Sequence, residues 1–384
     1  MSRADLASCG DVLNVHYGDI LIKYGSILDV ESNKIPYIAT GKENKKQCYL
    51  SDGDIIIADT AEDETVGKCT EIINIRDAKI EAGLHTIPCH PQTAYAPMYL
   101  GYYMNSPHYH KQLVPLMQGV KVLSVSKSNI GNTLISAPVS YSEQEKIVKM
   151  LYLLDIRMYK QQEIIETLKK YKRGAFEAVF SQKLRLVPAN KQQEWKRFKL
   201  SDFATRVTRK NGANTDIPLT ISAQYGLIDQ RDFFSKTVAS TDMSGYYLLQ
   251  SGEFAYNRST SNEYPFGSIK RLELYPMGAV STLYLCFEIN ENIIISDLAK
   301  WYFESSQWYR SVNQICAEGA RNHGLLNIPT DGFFNTTHLF PSDRVEQITI
   351  ARYLSLLQAR YDKALNQLEQ LNTIRKALLQ QLFI

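Results

Sequence analysis

The sequence has no G-x-x-x-x-G-K-[ST] phosphate loop, so ATP hydrolysis on this chain is not expected. It has no Gly-rich strand-to-helix turn for a nucleotide or methyl-donor cofactor and no G-x-S-x-G nucleophile elbow. The Asn-Pro-Pro-aromatic motif of amino-methyltransferases is missing too; Asn327-Ile328-Pro329-Thr330 is a distant echo and reads as a turn. The six cysteines include no CxxC pair and read as free thiols in a reducing cytoplasm. His85, Cys89 and His90 are close together but lack a fourth ligand, so loop or core packing is expected of them rather than a metal. No apolar run reaches the ~18 to 20 residues of a membrane span, and no signal peptide is visible. The expectation is a soluble, cytoplasmic protein with no membrane partner. Net charge is small as well, +3 over 384 residues, which permits a nucleic-acid partner without requiring one.

Carboxylates do cluster, at Asp52, Asp54, Asp59 and Glu62-Asp63-Glu64 near Lys68, as a metal-dependent nuclease would need. Asp52-Gly53 is a turn, however, and at the offset that matches Asp54 to Glu253, Asp59 falls on Arg258. A solvated acidic loop is the expected reading, and no catalytic residue or metal ligand is assigned.

What the chain does have, it has twice. A heptad helix is predicted from Ser140 to Phe180 and again from Asp343 to Phe383. Pro138 and Pro341 announce them, and the capping boxes Ser140-x-x-Glu143 and Asp343-x-x-Glu346 open them. Everything recurs at an offset of 203, including Glu143-Gln144 on Glu346-Gln347. The first seam runs Ile147, Leu151, Leu154, Met158, Gln161, Ile165, Leu168, Lys172, Ala175, Val179. The second runs Ile350, Leu354, Leu357, Tyr361, Ala364, Leu368, Leu371, Arg375, Leu378, Leu382. Lys172 and Arg375 interrupt both at the same place, which an internal duplication explains. Each helix of about 40 residues would span about 60 Å. Alone, such a stripe is exposed and marginally stable; zipping the copies together as an antiparallel pair covers both.

The remaining chain reads as two globules, consistent with the two or three domains its length suggests. The expected division is 1–138, helix 139–181, linker 182–194, 195–341, helix 342–384. Residues up to 138 read as short strands and turns, with Gly18-Asp19 and Gly53-Asp54 each placed before an apolar run as strand openings. A helix rich in aromatics is expected near Ala96–Tyr109. The polar stretch Val187–Gln193 is the linker, and Trp195-Lys196-Arg197-Phe198-Lys199-Leu200 opens the second globule. Duplication reaches into the globules with gaps: an offset of 199 lays Gly53-Asp54 on Gly252-Glu253 and Tyr102-Tyr103-Met104 on Trp301-Tyr302-Phe303. It also lays Tyr109 on Trp308. These aromatics repeat at helical spacing and are expected in the core. Ile35-Pro36 matches Ile217-Pro218 only at an offset of 182, so the second copy carries an insertion of roughly 17 residues.

Basic and amide side chains gather in loops. Arg206, Arg209, Lys210 and Asn211 share one flexible stretch, Asn257 and Arg258 follow a strand, and Lys121 and Lys127 lie in Gln118–Lys127. Arg321 and Asn322 lie in Glu318–His323 of the second copy. These residue types reach phosphates and base edges of double-stranded DNA, so they are the candidate DNA-binding residues. A coiled-coil adaptor that joins protein partners without DNA specificity is the alternative function.

The tandem globule–helix pattern, with Glu143-Gln144, Glu346-Gln347, the Trp195–Leu200 opening and the Gly-Asp turns, resembles the specificity (S) subunit of type I restriction-modification systems. The resemblance covers nearly the whole chain. It implies an α+β protein: two mixed α/β target recognition domains in tandem, separated by two long repeated helices forming an intramolecular antiparallel coiled coil. It implies a non-catalytic subunit of a prokaryotic cytoplasmic host-defence complex, each domain reading half of a split, asymmetric DNA site. Two methyltransferase (M) subunits would supply S-adenosylmethionine chemistry for DNA methylation, and restriction (R) subunits would supply ATP- and Mg-dependent steps. The first globule has no counterpart of the Trp195 opening, which leaves two alternatives open: its recognition domain is abbreviated at the N-terminus, or the reading frame starts late.

Overall fold

The computed structural model describes residues 3–42, 48–222, 225–233, 242–261, 264–316 and 324–383. Both long helices are present, at Tyr141–Phe180 and Arg344–Gln381. Their caps form as the sequence requires: the Glu143 N–H donates to Ser140 Oγ at 3.3 Å and the Glu346 N–H to Asp343 Oδ2 at 3.0 Å. No described helix is long and apolar enough to cross a membrane. The chain divides into two compact units, residues 1–163 with 365–384, and residues 164–364, so each unit holds one end of both helices.

The first unit has two four-stranded sheets. One orders Leu6–Ala7, Tyr37–Ile38, Val12–Val15 and Lys79–Ala82, the last pair parallel. The other orders Ile27–Asp29, Cys69–Ile73, Ile55–Ala58 and Thr86–Cys89, with only the first pair parallel. Ile55–Ala58 is buried at every position, as its unbroken apolar run requires. The expected strand at Gly18-Asp19 is instead a helix, Tyr17–Ile22. His16 Nδ1 accepts the Gly18 N–H at 3.1 Å and Asp19 lies in the first turn, so capping and charge both favour a helix start. The aromatic helix near Ala96–Tyr109 is two helices, Tyr99–Met104 and Pro107–Leu113. They break where Ser106 Oγ caps the Tyr109 N–H and Pro107 supplies a ready-made first turn.

The second unit is built on an antiparallel sheet ordered Ala204–Val207, Leu285–Ile289, Phe254–Asn257 and Ser268–Arg271. The Trp195–Lys199 opening pairs with Thr337–Pro341, Trp195 against Pro341, so the globule closes on itself just before the second helix. Helices Ser296–Glu304 and Tyr309–Asn313 correspond to the aromatic pair of the first unit. Tyr102, Tyr103, Tyr109, Trp301, Tyr302 and Trp308 are all buried, in the core as expected.

Duplication is legible in hydrogen bonds. Gly53 N–H donates to Ile72 O while Ile72 N–H donates to Asp54 O; Gly252, Leu272 and Glu253 repeat the arrangement. Asp54 Oδ2 accepts the Ser51 N–H at 2.8 Å, and Glu253 Oε2 accepts the Gln250 N–H at 2.7 Å. Both glycines need positive φ, +85° and +93°. Each long helix is tied to its globule by the glutamine of its Glu-Gln pair. Gln144 accepts from Ala96 N–H and donates to Pro138 O; Gln347 accepts from Ile295 N–H and donates to Ile293 O and Pro341 O.

The helices run antiparallel. In the first unit Asp155 meets Arg375 and Gln161 meets Gln367; in the second Lys172 meets Gln358. Every expected seam position is buried or half-buried. The polar interruptions are partners by symmetry, since the offset of 203 carries Lys172 onto Arg375 and Asp155 onto Gln358. Arg375 pairs with Asp155 at 2.6 Å, and the Tyr102 hydroxyl donates to the same carboxylate. Lys172 donates to Gln358 at 2.8 Å and lies 4.8 Å over the Tyr361 ring. Burial holds its ammonium below the usual lysine range.

Candidate nucleic-acid interface

In the first unit, Gln118 and Ser124 exchange backbone hydrogen bonds of 2.9 and 2.8 Å, closing a hairpin whose residues 118–122 are exposed. Leu123–Ser124 pairs with Thr60–Ala61, which roots the hairpin beside the core. Lys121 is on the tip. Lys127 is the first residue of a short helix, Lys127–Gly131, capped by Ser126. Both lysines are exposed, and among the described residues neither side chain holds a hydrogen bond or ion pair.

In the second unit Arg206 is likewise exposed, on the edge strand Ala204–Val207, with no such partner among the described residues. Its neighbours are committed within the chain. Arg209 donates to both oxygens of the buried Glu253 carboxylate at 2.8 Å. Lys210 donates to Gly245 O and lies 4.6 Å over the Tyr247 ring. Asn211 is 1% exposed; its amide donates to Thr215 O and Met243 O and accepts the Thr215 N–H, so it shapes the loop from inside. Asn257 Oδ1 accepts the Ser259 N–H, and the Arg258 guanidinium donates to Leu283 O and Ile328 O. Arg321 and Asn322 lie outside the described residues.

The free cations therefore number fewer than the sequence suggested, because partners such as Glu253 or Met243 lie tens of residues away in the chain. Lys121 and Lys127 lie in consecutive elements of the first unit, the hairpin and the short helix after it; Arg206 belongs to the other unit. Gln118 sits at the neck of the hairpin and Val120 at its apex; the sequence marked the stretch Gln118–Lys127 but named only its lysines as candidates. Gly119, between Gln118 and Val120 at φ +122°, is what lets the loop close.

The clustered carboxylates do not converge on one point. Asp52 accepts the Ile75 N–H, Asp54 the Ser51 N–H and Asp63 the Thr65 N–H, so the carboxylates hold separate turns. His85 pairs with Asp59 at 3.3 Å and His90 with Asp54 at 2.6 Å, while burial pushes the Cys89 thiol up. Among the described residues no group of three or more His, Cys, Asp or Glu converges on one point.

No family model matches the sequence, and no curated protein matches it. Solved structures do. The type I restriction-modification system S subunit from M. genitalium is similar over 100% of this chain and 91% of that one, at 12% identity and a TM-score of 0.53. A chain from a structure described as the basis of complex assembly and conformational transition of the type I R-M system is similar over 97% and 90%, at 14% identity and a TM-score of 0.54. The HsdS subunit from Thermoanaerobacter tengcongensis matches over 97% and 90%, at 15% identity and a TM-score of 0.47. The chain has the fold of type I restriction-modification S subunits.

Proposed function

We propose, from that fold, that the chain is the non-catalytic DNA specificity subunit of a type I restriction-modification complex. The observation that carries the proposal is the duplication: two globules with the same Gly-acid turn, each tied by the same glutamine to one of two repeated antiparallel helices. One chain then offers two non-identical readers, so its DNA site is bipartite and asymmetric. The helix pair is the ruler that sets the unread spacer; about 60 Å of helix is enough for readers one or more turns of DNA apart.

The outward side of the helices supports partner recruitment. A second stripe repeats at the offset of 203: Leu153 and Leu356, Arg157 and Arg360, Lys160 and Lys363. Leu153 and Leu356 are both more than half exposed. A repeated apolar and basic stripe suits two copies of one partner, the methyltransferase subunits, each presenting an amphipathic helix. On this reading S-adenosylmethionine, ATP and Mg belong to those partners and to the restriction subunits. The small net charge makes this chain a weak DNA binder alone, with partner subunits adding phosphate contacts. Methylation mapping of cells with the partner methyltransferase, with and without this chain, tests the reading: a split motif that appears only with the chain supports it, and an unchanged methylation pattern refutes it.

A further inference from the structure

On the reading that the first unit is a DNA reader, we infer that the Gln118–Ser124 hairpin is its base-reading finger. Val120 meets a thymine methyl in the major groove, Gln118 pairs with an adjacent adenine, and Lys121 and Lys127 hold flanking phosphates.

The finger is built to keep its shape. Two backbone bonds close its neck, and Gly119 is required there: a Cβ would lie 1.9 Å from the Val122 carbonyl oxygen. The base is planted through Leu123 opposite Ala61, through the Val125 N–H to Asp59 O at 2.9 Å, and through Asn129, whose amide donates to Leu116 O. At the apex Val120 is 99% exposed and Val122 51%. A lone exposed apolar side chain is ordinary. A β-branched one at the summit of a braced loop, with an exposed amide and a lysine beside it, is the combination that reads an A·T pair. A two-stranded ribbon fits the major groove, where adenine offers N6–H₂ and N7 to an amide and thymine offers its methyl group to an apolar side chain.

Charge complements this shape. From Ala82 to Ser142 the sequence contains no Asp or Glu, so its full charges there are the positive Lys111, Lys121 and Lys127. Asp59, whose carbonyl holds the root, has its carboxylate occupied by the Thr60 hydroxyl at 2.8 Å and by His85. The finger's own segment therefore carries only positive charge toward phosphates; Glu62, exposed next to Ala61 at the root, is the acidic group nearest to it along the pairing.

The test uses the full chain in complex with its methyltransferase subunits, on duplexes carrying the mapped site. Each thymine of the half-site read by the first unit is replaced in turn by deoxyuridine, which removes only the methyl group. One such replacement should weaken binding by the wild-type complex about 5-fold, and should have no effect with Val120→Ala. Gln118→Ala should relax discrimination at a neighbouring pair by about 5- to 100-fold, while Lys121→Ala weakens binding to all sequences alike and lowers the salt slope by about 1. All three residues are exposed, so the variants should melt with the wild type. The inference is overturned if Val120→Ala and Gln118→Ala leave the first half-site preference unchanged in a complex that still reads a split site, or if that half-site contains no A·T pair. Absence of any split site would overturn the specificity-subunit reading itself, a distinguishable result.

Discussion

Glu346 and Glu143 occupy the same place in the two copies, yet replacing each by Gln should have very different consequences. Glu346 is 1% exposed; its carboxylate receives Arg185 Nε at 2.8 Å and Nη2 at 2.9 Å, and the indole N–H of Trp195 at 3.3 Å. Arg185 is itself only 16% exposed, so it cannot turn to water when its partner is neutralised. Removing one member of a buried pair costs about 3–5 kcal/mol. Gln keeps an oxygen for one donor, and Arg185 retains its bond to Gln193 O, so about 2–3 kcal/mol is the expected loss. Glu143 is exposed, and Glu143→Gln should stay within about 0.5 kcal/mol. Urea unfolding followed by tryptophan fluorescence measures both, because Trp195 sits at the affected end. Equal losses for the two variants, or none for Glu346→Gln, would refute the claim that this carboxylate clamps the opening of the second globule to its helix.

Other consequences are measurable in the same way. Gln347→Ala removes three hydrogen bonds of a buried amide and Gln144→Ala two, so both should destabilise by about 1–3 kcal/mol, the former more. His338 is buried between the Tyr302 and Thr336 hydroxyls, and burial pushes its imidazole down to about 3. The unfolded chain then binds a proton that the folded chain does not, so stability should fall by up to about 1.4 kcal/mol per pH unit below about 6.5. His338→Gln should flatten that acid limb; an unchanged slope in a pH series of melts would contradict it. Lys172, also held below its ordinary value, makes stability rise as pH approaches the unfolded lysine range, and Lys172→Met should abolish that rise without a loss at neutral pH. Inserting about seven residues into each helix at matching positions lengthens the pair by about 10 Å, and the spacer of the methylated site should grow by about three base pairs with both half-sites kept.

Periodicity was enough to read the long helices, their caps and their antiparallel seam, because a heptad stripe such as Ile147–Val179 has one economical way to be covered. The buried aromatics of Tyr99–Met104 and Ser296–Glu304 were legible for the same reason. Gly18-Asp19 was misread because a Gly-Asp pair before an apolar run fits a strand opening or a helix first turn equally well. The deciding group was the His16 side chain, which no propensity marks as a cap. At the candidate interface the residue types were readable but their commitments were not. Arg209 is spoken for by Glu253 and Asn211 by Met243, contacts that only the tertiary fold brings about. Gly119 carried the opposite lesson: a single glycine in a basic loop was the trace of a closed finger.

The central claim is that each unit reads its own half of one site. Replacing residues 195–341 with the corresponding segment of another chain of this fold, then mapping methylation in cells with the partner methyltransferase, tests it most directly. The account predicts a motif with one half replaced, the other half intact and the spacer unchanged; a motif altered in both halves, or one altered in neither, would contradict it.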